Sequence, residues 1–198
     1  MKAKKTALLL IEFQNDFCSE SGKLNALVRD EIARGRAIEN AVRLLNGARK
    51  NGVNIIHCPF ILDKKWTLEA DCAGLLRNLA EQDAFAPDSW GAEIIDSLKP
   101  IEGETILSGK RGLSAFEHTN LERILVDWGI ETIGIAGFLT NVCVQASAFG
   151  AYDRGYRVQL ITDACVAVST AIQNYVEQEV APIFGGPFNV SEFLEGLE

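Results

Sequence analysis

The sequence predicts an α/β fold, a mostly parallel sheet with helices on both faces, and three observations carry that prediction. Short, largely apolar runs recur at Lys5–Ile11, Val53–Cys58, Glu104–Ser108, Glu131–Gly137 and Tyr156–Thr162. The most continuous of them read as strands buried on both faces, because a half-wet strand would alternate apolar and polar residues. Between the runs lie stretches with apolar residues three and four apart, the period of a helix, so strands alternate with helices. Finally, 198 residues at 47% hydrophobic and 23% charged suit a single domain over residues 1–198 with a sizeable core.

The first run, Lys-Thr-Ala-Leu-Leu-Leu-Ile, ends abruptly in Glu12-Phe13-Gln14-Asn15-Asp16-Phe17-Cys18. An acidic residue at the end of a buried strand is costly unless it has partners or chemical work. Asp30 to Lys50 has helical spacing, with Ile32, Ala41, Val42, Leu45 and Ala48 on one face and Asn51-Gly52 as its stop. The second strand is halted by Pro59. About residues 60–91 form an irregular stretch with a short helix expected at Glu69–Leu79, a candidate lid or subunit-interface insert. Ala92 to Leu98 suggests a helical turn, and Lys110 follows the third strand directly. His118 to Trp128 is amphipathic and closes at Gly129, leading into the fourth strand. Val142 to Tyr152 reads as a helix rich in small residues. The fifth strand ends near Asp163, a last helix spans Thr170–Glu179, and a short final strand is expected near Phe188–Val190.

Right-handed crossovers place the carboxyl ends of parallel strands on one edge, where ligands bind in open α/β sheets. Glu12, Lys110 and Cys143 then share that edge, following the first, third and fourth strands. A cysteine at a helix start is expected to favour the thiolate. Lys110 can hold that thiolate electrostatically, Glu12 can carry a proton to and from it, and backbone N–H groups of the turn can meet a developing oxyanion. Cys18, Cys58, Cys72 and Cys165 read as ordinary small buried residues. Gly109-Lys110 is not a phosphate loop, because Glu104 stands where the first glycine of that motif belongs and Arg111 where Ser or Thr belongs.

Composition excludes several classes. A net charge of −8, with basic pairs only at sites such as Lys64-Lys65 and Lys110-Arg111, argues against nucleic acid. No apolar run is long enough to cross a bilayer, which predicts no membrane partner. The basic start, Met1-Lys2-Ala3-Lys4-Lys5, precedes an apolar stretch broken by Glu12 and Asp16, without a small-residue cleavage site. A cytoplasmic location is therefore expected. Five cysteines without a Cys-x-x-Cys pair favour reduced thiols, and two histidines leave little for a metal site, so neither metal nor cofactor is expected.

Taken together, Leu8-Leu9-Leu10-Ile11-Glu12-Phe13-Gln14-Asn15-Asp16-Phe17, Lys110 with Ser114-Ala115-Phe116, Gly137-Phe138-Leu139-Thr140-Asn141-Val142-Cys143-Val144, Gly155-Tyr156-Arg157-Val158 and Asp163-Ala164 resemble the isochorismatase-like cysteine hydrolases. That family includes nicotinamidases, N-carbamoylsarcosine amidases and related amide or ureide hydrolases. The resemblance implies a three-layer α/β/α, Rossmann-like sandwich with a six-stranded sheet. It also implies an Asp, Lys, Cys triad, onto which Lys110 and Cys143 map, with Glu12 in place of Asp. A cis peptide between Phe138 and Leu139 is implied as well, with the N–H groups of Leu139 and Cys143 as the oxyanion hole. Glu is longer than Asp by about 1.5 Å, and displacements near 1 Å can cost about 100-fold in rate. The stretch His57-Cys58-Pro59-Phe60-Ile61-Leu62-Asp63 lacks the Asp-x-His pattern of metal-assisted nicotinamidases.

The expected function is cleavage of a C–N bond in a small carboxamide or ureide through a thioester on Cys143. The alternative is a catalytically impaired member serving as a small-molecule-binding or regulatory protein. Phe17, Trp66, Phe138 and Asn141 are the candidate substrate contacts. With aromatics and few charges nearby, a small neutral or weakly polar substrate is expected. Family resemblance also implies a homo-oligomer.

Overall fold

The computed structural model describes residues 1–198. Five strands, β1 (Thr6–Ile11), β2 (Asn54–Cys58), β3 (Thr105–Ile106), β4 (Thr132–Phe138) and β5 (Arg157–Val166), form one parallel sheet in the order β3-β2-β1-β4-β5. Every residue of β1 and β4 is buried, as their continuous apolar runs require. Helices flank the sheet: α1 (Asn15–Cys18), α2 (Arg29–Gly35), α3 (Ala37–Lys50), α4 (Lys64–Glu69), α5 (Gly74–Glu81), α6 (Leu121–Asp127), α7 (Gln145–Asp153), α8 (Thr170–Tyr175) and α9 (Val190–Glu195). None of them is long and apolar enough to cross a membrane. One continuous cluster of 52 buried residues forms the core.

Register decides where the site lies. Ile11 stands opposite both Cys58 and Gly137, so three neighbouring strands end level and their following residues meet. Gly137 is required there. Its φ is +136°, and a Cβ would lie 2.0 Å from the Ile11 carbonyl oxygen.

Several expectations need correction. The sixth strand is absent as a strand: Phe188 makes one isolated parallel bridge to Ile161, and Val190 opens α9. Asn189 and Glu192 form a reciprocal capping box, so the local Asn-x-x-Glu signal favours helix over extension. The fifth strand runs on to Val166. Ile135 pairs with Leu160 but Gly137 pairs with Cys165, so β5 carries a bulge there and Asp163 lies inside the strand. The Asp163 carboxylate accepts the Val190 N–H at 2.9 Å and braces the start of α9.

The helix expected over 30–50 is two helices, because Arg36 at φ +51° turns the chain after Gly35, a poor helix former. Its buried stripe is Ala37, Ala41, Leu44, Leu45 and Ala48, the spacing of one helical face. The helix expected from Glu69 splits into α4 and α5 around Asp71 and Gly74, both at positive φ. The helix expected from His118 begins only at Leu121, after His118 itself at φ +62°.

Beside β2 and β3 lies a partly buried charge cluster. Glu104 accepts two hydrogen bonds from Arg49, at 2.7 and 2.9 Å, and faces His57 Nε2 at 2.9 Å. Burial alone would raise the Glu104 pKa, but these partners and the Ile101 N–H hold it at about 2. A depressed carboxyl pKa contributes stability above the unfolded value, near 4.5, that is lost as pH falls toward 2. With solvent screening allowed for, that contribution is about 2 kcal/mol. Burial of His57 lowers its pKa, so acidification below about 6.5 costs stability in the same direction. Urea unfolding between pH 6 and 3 is expected to show a shallower loss of stability in Glu104→Gln than in the wild type. Equal slopes would remove Glu104 from this account.

Candidate active site

Three side chains from the carboxyl edge converge. At the end of β1 the chain turns at Glu12, whose φ of +57° lies in the left-handed region. The turn is held by the Glu12 N–H donating to the Cys58 carbonyl at 3.2 Å and by the Gln14 N–H donating to the Glu12 carbonyl at 2.8 Å. The Glu12 side chain is buried, its residue only 2% exposed. Lys110 follows Gly109 beyond β3 and is 1% exposed. Its ammonium donates to Glu12 Oε1 and, at 3.0 Å, to the Gly112 carbonyl, and it stands 4.7 Å over the Phe60 ring. Burial pulls the Lys110 pKa down, but the Glu12 and Cys143 charges outweigh it and raise the net value.

Cys143 is the third member. The Phe138–Leu139 peptide is cis, and Thr140–Val144 form a π-helical turn that runs into α7. Cys143 therefore sits inside that turn rather than at the first residue of an α-helix. Its carbonyl accepts the Ser147 hydroxyl at 2.7 Å, and the Ser147 oxygen accepts the Ala115 N–H at 2.9 Å. That chain of bonds ties the elbow to the segment carrying Lys110.

The expected thiolate is not the resting form. Burial first, and then the Glu12 carboxylate, push the Cys143 thiol well above its ordinary value. Lys110 and the Leu139 N–H oppose this without reversing it. The proton belongs on sulfur, beside a carboxylate able to accept it. Iodoacetamide should therefore label Cys143 slowly near neutral pH and faster as pH rises. In Glu12→Gln, where Lys110 acts unopposed, labelling at pH 7.5 is expected to be about tenfold faster. Peptide mapping by mass spectrometry checks this, and the half-buried Cys72 serves as an internal comparison. Equal rates in the two proteins would contradict the assignment of the thiol proton to Glu12's influence.

Over these groups lies a partly open cavity of about 50 Å³. Glu12, Leu139 and Cys143 form part of its wall, and Phe17, Phe60 and Phe85 another part. Leu75, Leu76 and Leu79 of α5 cover it, so the 60–91 insert supplies its roof. Phe17 thus lines the cavity, whereas the other three candidate contacts do not. Trp66 points elsewhere: it packs under the Arg111 guanidinium at 4.2 Å and edge-on to His118 at 6.2 Å. Phe138 is fully buried behind Phe17, stacked on it at 5.3 Å, because the last residue of a central strand faces the core. Asn141 sits on the elbow outside the cavity wall, its Oδ1 buried without a hydrogen-bond partner. The Leu139 N–H faces the Cys143 sulfur.

The polar residues after Glu12 have a structural task that the sequence did not disclose. Gln14 donates to the Phe60 and Ala92 carbonyls at 2.9 and 2.7 Å and accepts the Phe60 N–H at 2.8 Å, clipping together both ends of the insert. Asn15 donates to the Trp90 carbonyl at 2.9 Å. The Asp16 carboxylate accepts the N–H groups of Phe85 and Lys23, at 2.6 and 3.1 Å, so it is occupied by backbone and is no substitute for Glu12.

Known proteins resemble this chain over most of its length. Residues 6–191 match the Isochorismatase domain model. YddQ of Bacillus subtilis strain 168, an uncharacterized isochorismatase family protein, is 30% identical over 86% of this chain and 83% of its own length. The ureidoacrylate amidohydrolase RutB of Methylorubrum extorquens AM1 is 28% identical over 98% of this chain and 84% of its own. The crystal structure of a cysteine hydrolase from Pseudomonas syringae pv. phaseolicola 1448A superposes with a TM-score of 0.83, covering 98% of this chain and 93% of that one at 24% identity.

Proposed function

The chain belongs to the isochorismatase family of hydrolases, and from that premise we propose that it cleaves the C–N bond of a small carboxamide or ureide through a thioester on Cys143. One observation carries the reading: the Glu12 carboxylate and Cys143 thiol line one apolar cavity, with the Lys110 ammonium bonded to Glu12.

In this mechanism Glu12 takes the thiol proton as sulfur bonds to the substrate carbonyl carbon. The oxyanion is received by the N–H groups of Leu139 and Cys143, each donor of this kind being worth about 3 kcal/mol. Glu12 returns the proton to the departing nitrogen, and the C–N bond breaks. Water, deprotonated by Glu12, then hydrolyses the thioester and restores the thiol. Lys110 holds the Glu12 carboxylate by a hydrogen bond and offsets the charge that develops beside it. The raised thiol pKa fits this sequence, because the proton moves only when a carbonyl is in place.

Glu12 in place of Asp is read as an adapted site, since its carboxylate reaches Lys110 and influences Cys143 from its left-handed turn. The competing reading is a binding protein whose buried, protonated thiol does not react. Ammonia release over a panel of carboxamides and ureides distinguishes them. Glu12→Gln is expected to lower kcat/KM by about 10²- to 10⁴-fold. Glu12→Asp, which withdraws the carboxylate, is expected to lower it by about 100-fold. A gain of activity in Glu12→Asp would overturn the adapted site in favour of the impaired one.

A further inference from the structure

Resting on the amide-hydrolysis reading, we infer which amides the site accepts. We propose that the substrate is an uncharged carboxamide with a short apolar acyl chain, and that amides bearing a carboxylate are excluded. The wall of the cavity carries no free cation and almost no polar group. Glu12 and Cys143 are its only ionisable residues, and both belong to the chemistry. The remaining wall consists of leucine, phenylalanine and valine side chains.

The two cations that follow β3 are both engaged away from the cavity wall. Lys110 lies behind Glu12, its ammonium divided between that carboxylate, the Gly112 carbonyl and the Phe60 ring. Arg111 is held over Trp66, outside the wall. A substrate carboxylate would lose its water, find no counter-charge, and face the Glu12 carboxylate as a like charge. An alkyl chain meets only matching surface.

Size and outlet follow the same chemistry. At about 50 Å³, against roughly 10–15 Å³ to hold one water, the cavity admits a chain of a few carbons. At its edge, Leu27, Leu75 and Leu113 come from three separate segments and remain 58, 43 and 38% exposed. They form an apolar rim along which a slightly longer chain can continue outward.

Binding to Cys143→Ala, measured by calorimetry, tests the pocket independently of catalysis. Pentanamide is expected to bind, and succinamate, which carries a carboxylate on a short amide chain, to bind about 100-fold more weakly or worse. In Leu113→Arg, a cation at the rim should improve kcat/KM for succinamate relative to pentanamide by about tenfold. Succinamate binding as tightly as pentanamide, or neither binding, overturns the inference. Pentanamide that binds but is not hydrolysed by the wild type supports the apolar pocket while contradicting the hydrolase reading.

Discussion

Cys143→Ala is expected to lower kcat for the best amide substrate by about 10⁴-fold or more, the scale seen when a covalent nucleophile is removed from a site whose parts act as a unit. Stability should barely follow. The lost sulfur leaves a small gap already facing the cavity, about 1 kcal/mol or less, which for a chain of this size lowers Tm by roughly 2–4 °C. A large activity loss with a small shift in Tm separates a chemical role from a packing role. Steady-state ammonia release and a thermal melt on the same preparation measure both. Activity within about tenfold of wild type would remove Cys143 from the mechanism.

The second large effect is expected at Lys110, and there stability and activity should fall together. Lys110→Met keeps the stem's volume but strips the buried Glu12 carboxylate of its counter-charge. Breaking a buried pair by removing one partner costs about 3–5 kcal/mol, or roughly 10 °C in Tm. The double variant Glu12→Gln with Lys110→Met removes both charges and should recover much of that stability, because no unpaired charge remains. It should recover no activity, because neither the proton carrier nor its partner is present. Full stability in Lys110→Met alone would show that water reaches Glu12 and that the pair is not buried in solution.

The sheet was legible because β1 and β4 are buried on both faces and read as uninterrupted apolar runs. The candidate site's edge was legible because a parallel sheet puts Glu12, Lys110 and Cys143 on one side. The failures have definite causes. Phe188–Val190 looks extended by composition, but the capping box of Asn189 and Glu192 starts a helix at Val190. A bulge in β5 cannot be seen in its residues, since it depends on pairing with β4. Trp66 and Asn141 have the right chemistry for a ligand contact, yet a side chain's direction is set by tertiary packing, and Arg111 holds Trp66 away.

The leucine roof was present in the sequence as Leu75, Leu76 and Leu79, one face of a short helix. Apolar spacing alone does not separate a lid over a cavity from a helix on the core. The raised thiol pKa is hidden from the sequence for a related reason. A helix start favours a thiolate, but burial and a neighbouring carboxylate are stronger and become visible only when the fold brings Glu12 to Cys143.

Acyl transfer to the Cys143 sulfur is the step on which the proposed hydrolysis depends. Rapid quenching of the wild type during turnover of an amide, followed by peptide mass spectrometry, examines that directly. The predicted result is an adduct on the Cys143 peptide that has gained the acyl group and lost one hydrogen, cleared by added hydroxylamine and absent from Cys143→Ala. Turnover with no adduct on Cys143, at a rate that the Cys143→Ala protein matches, would contradict it.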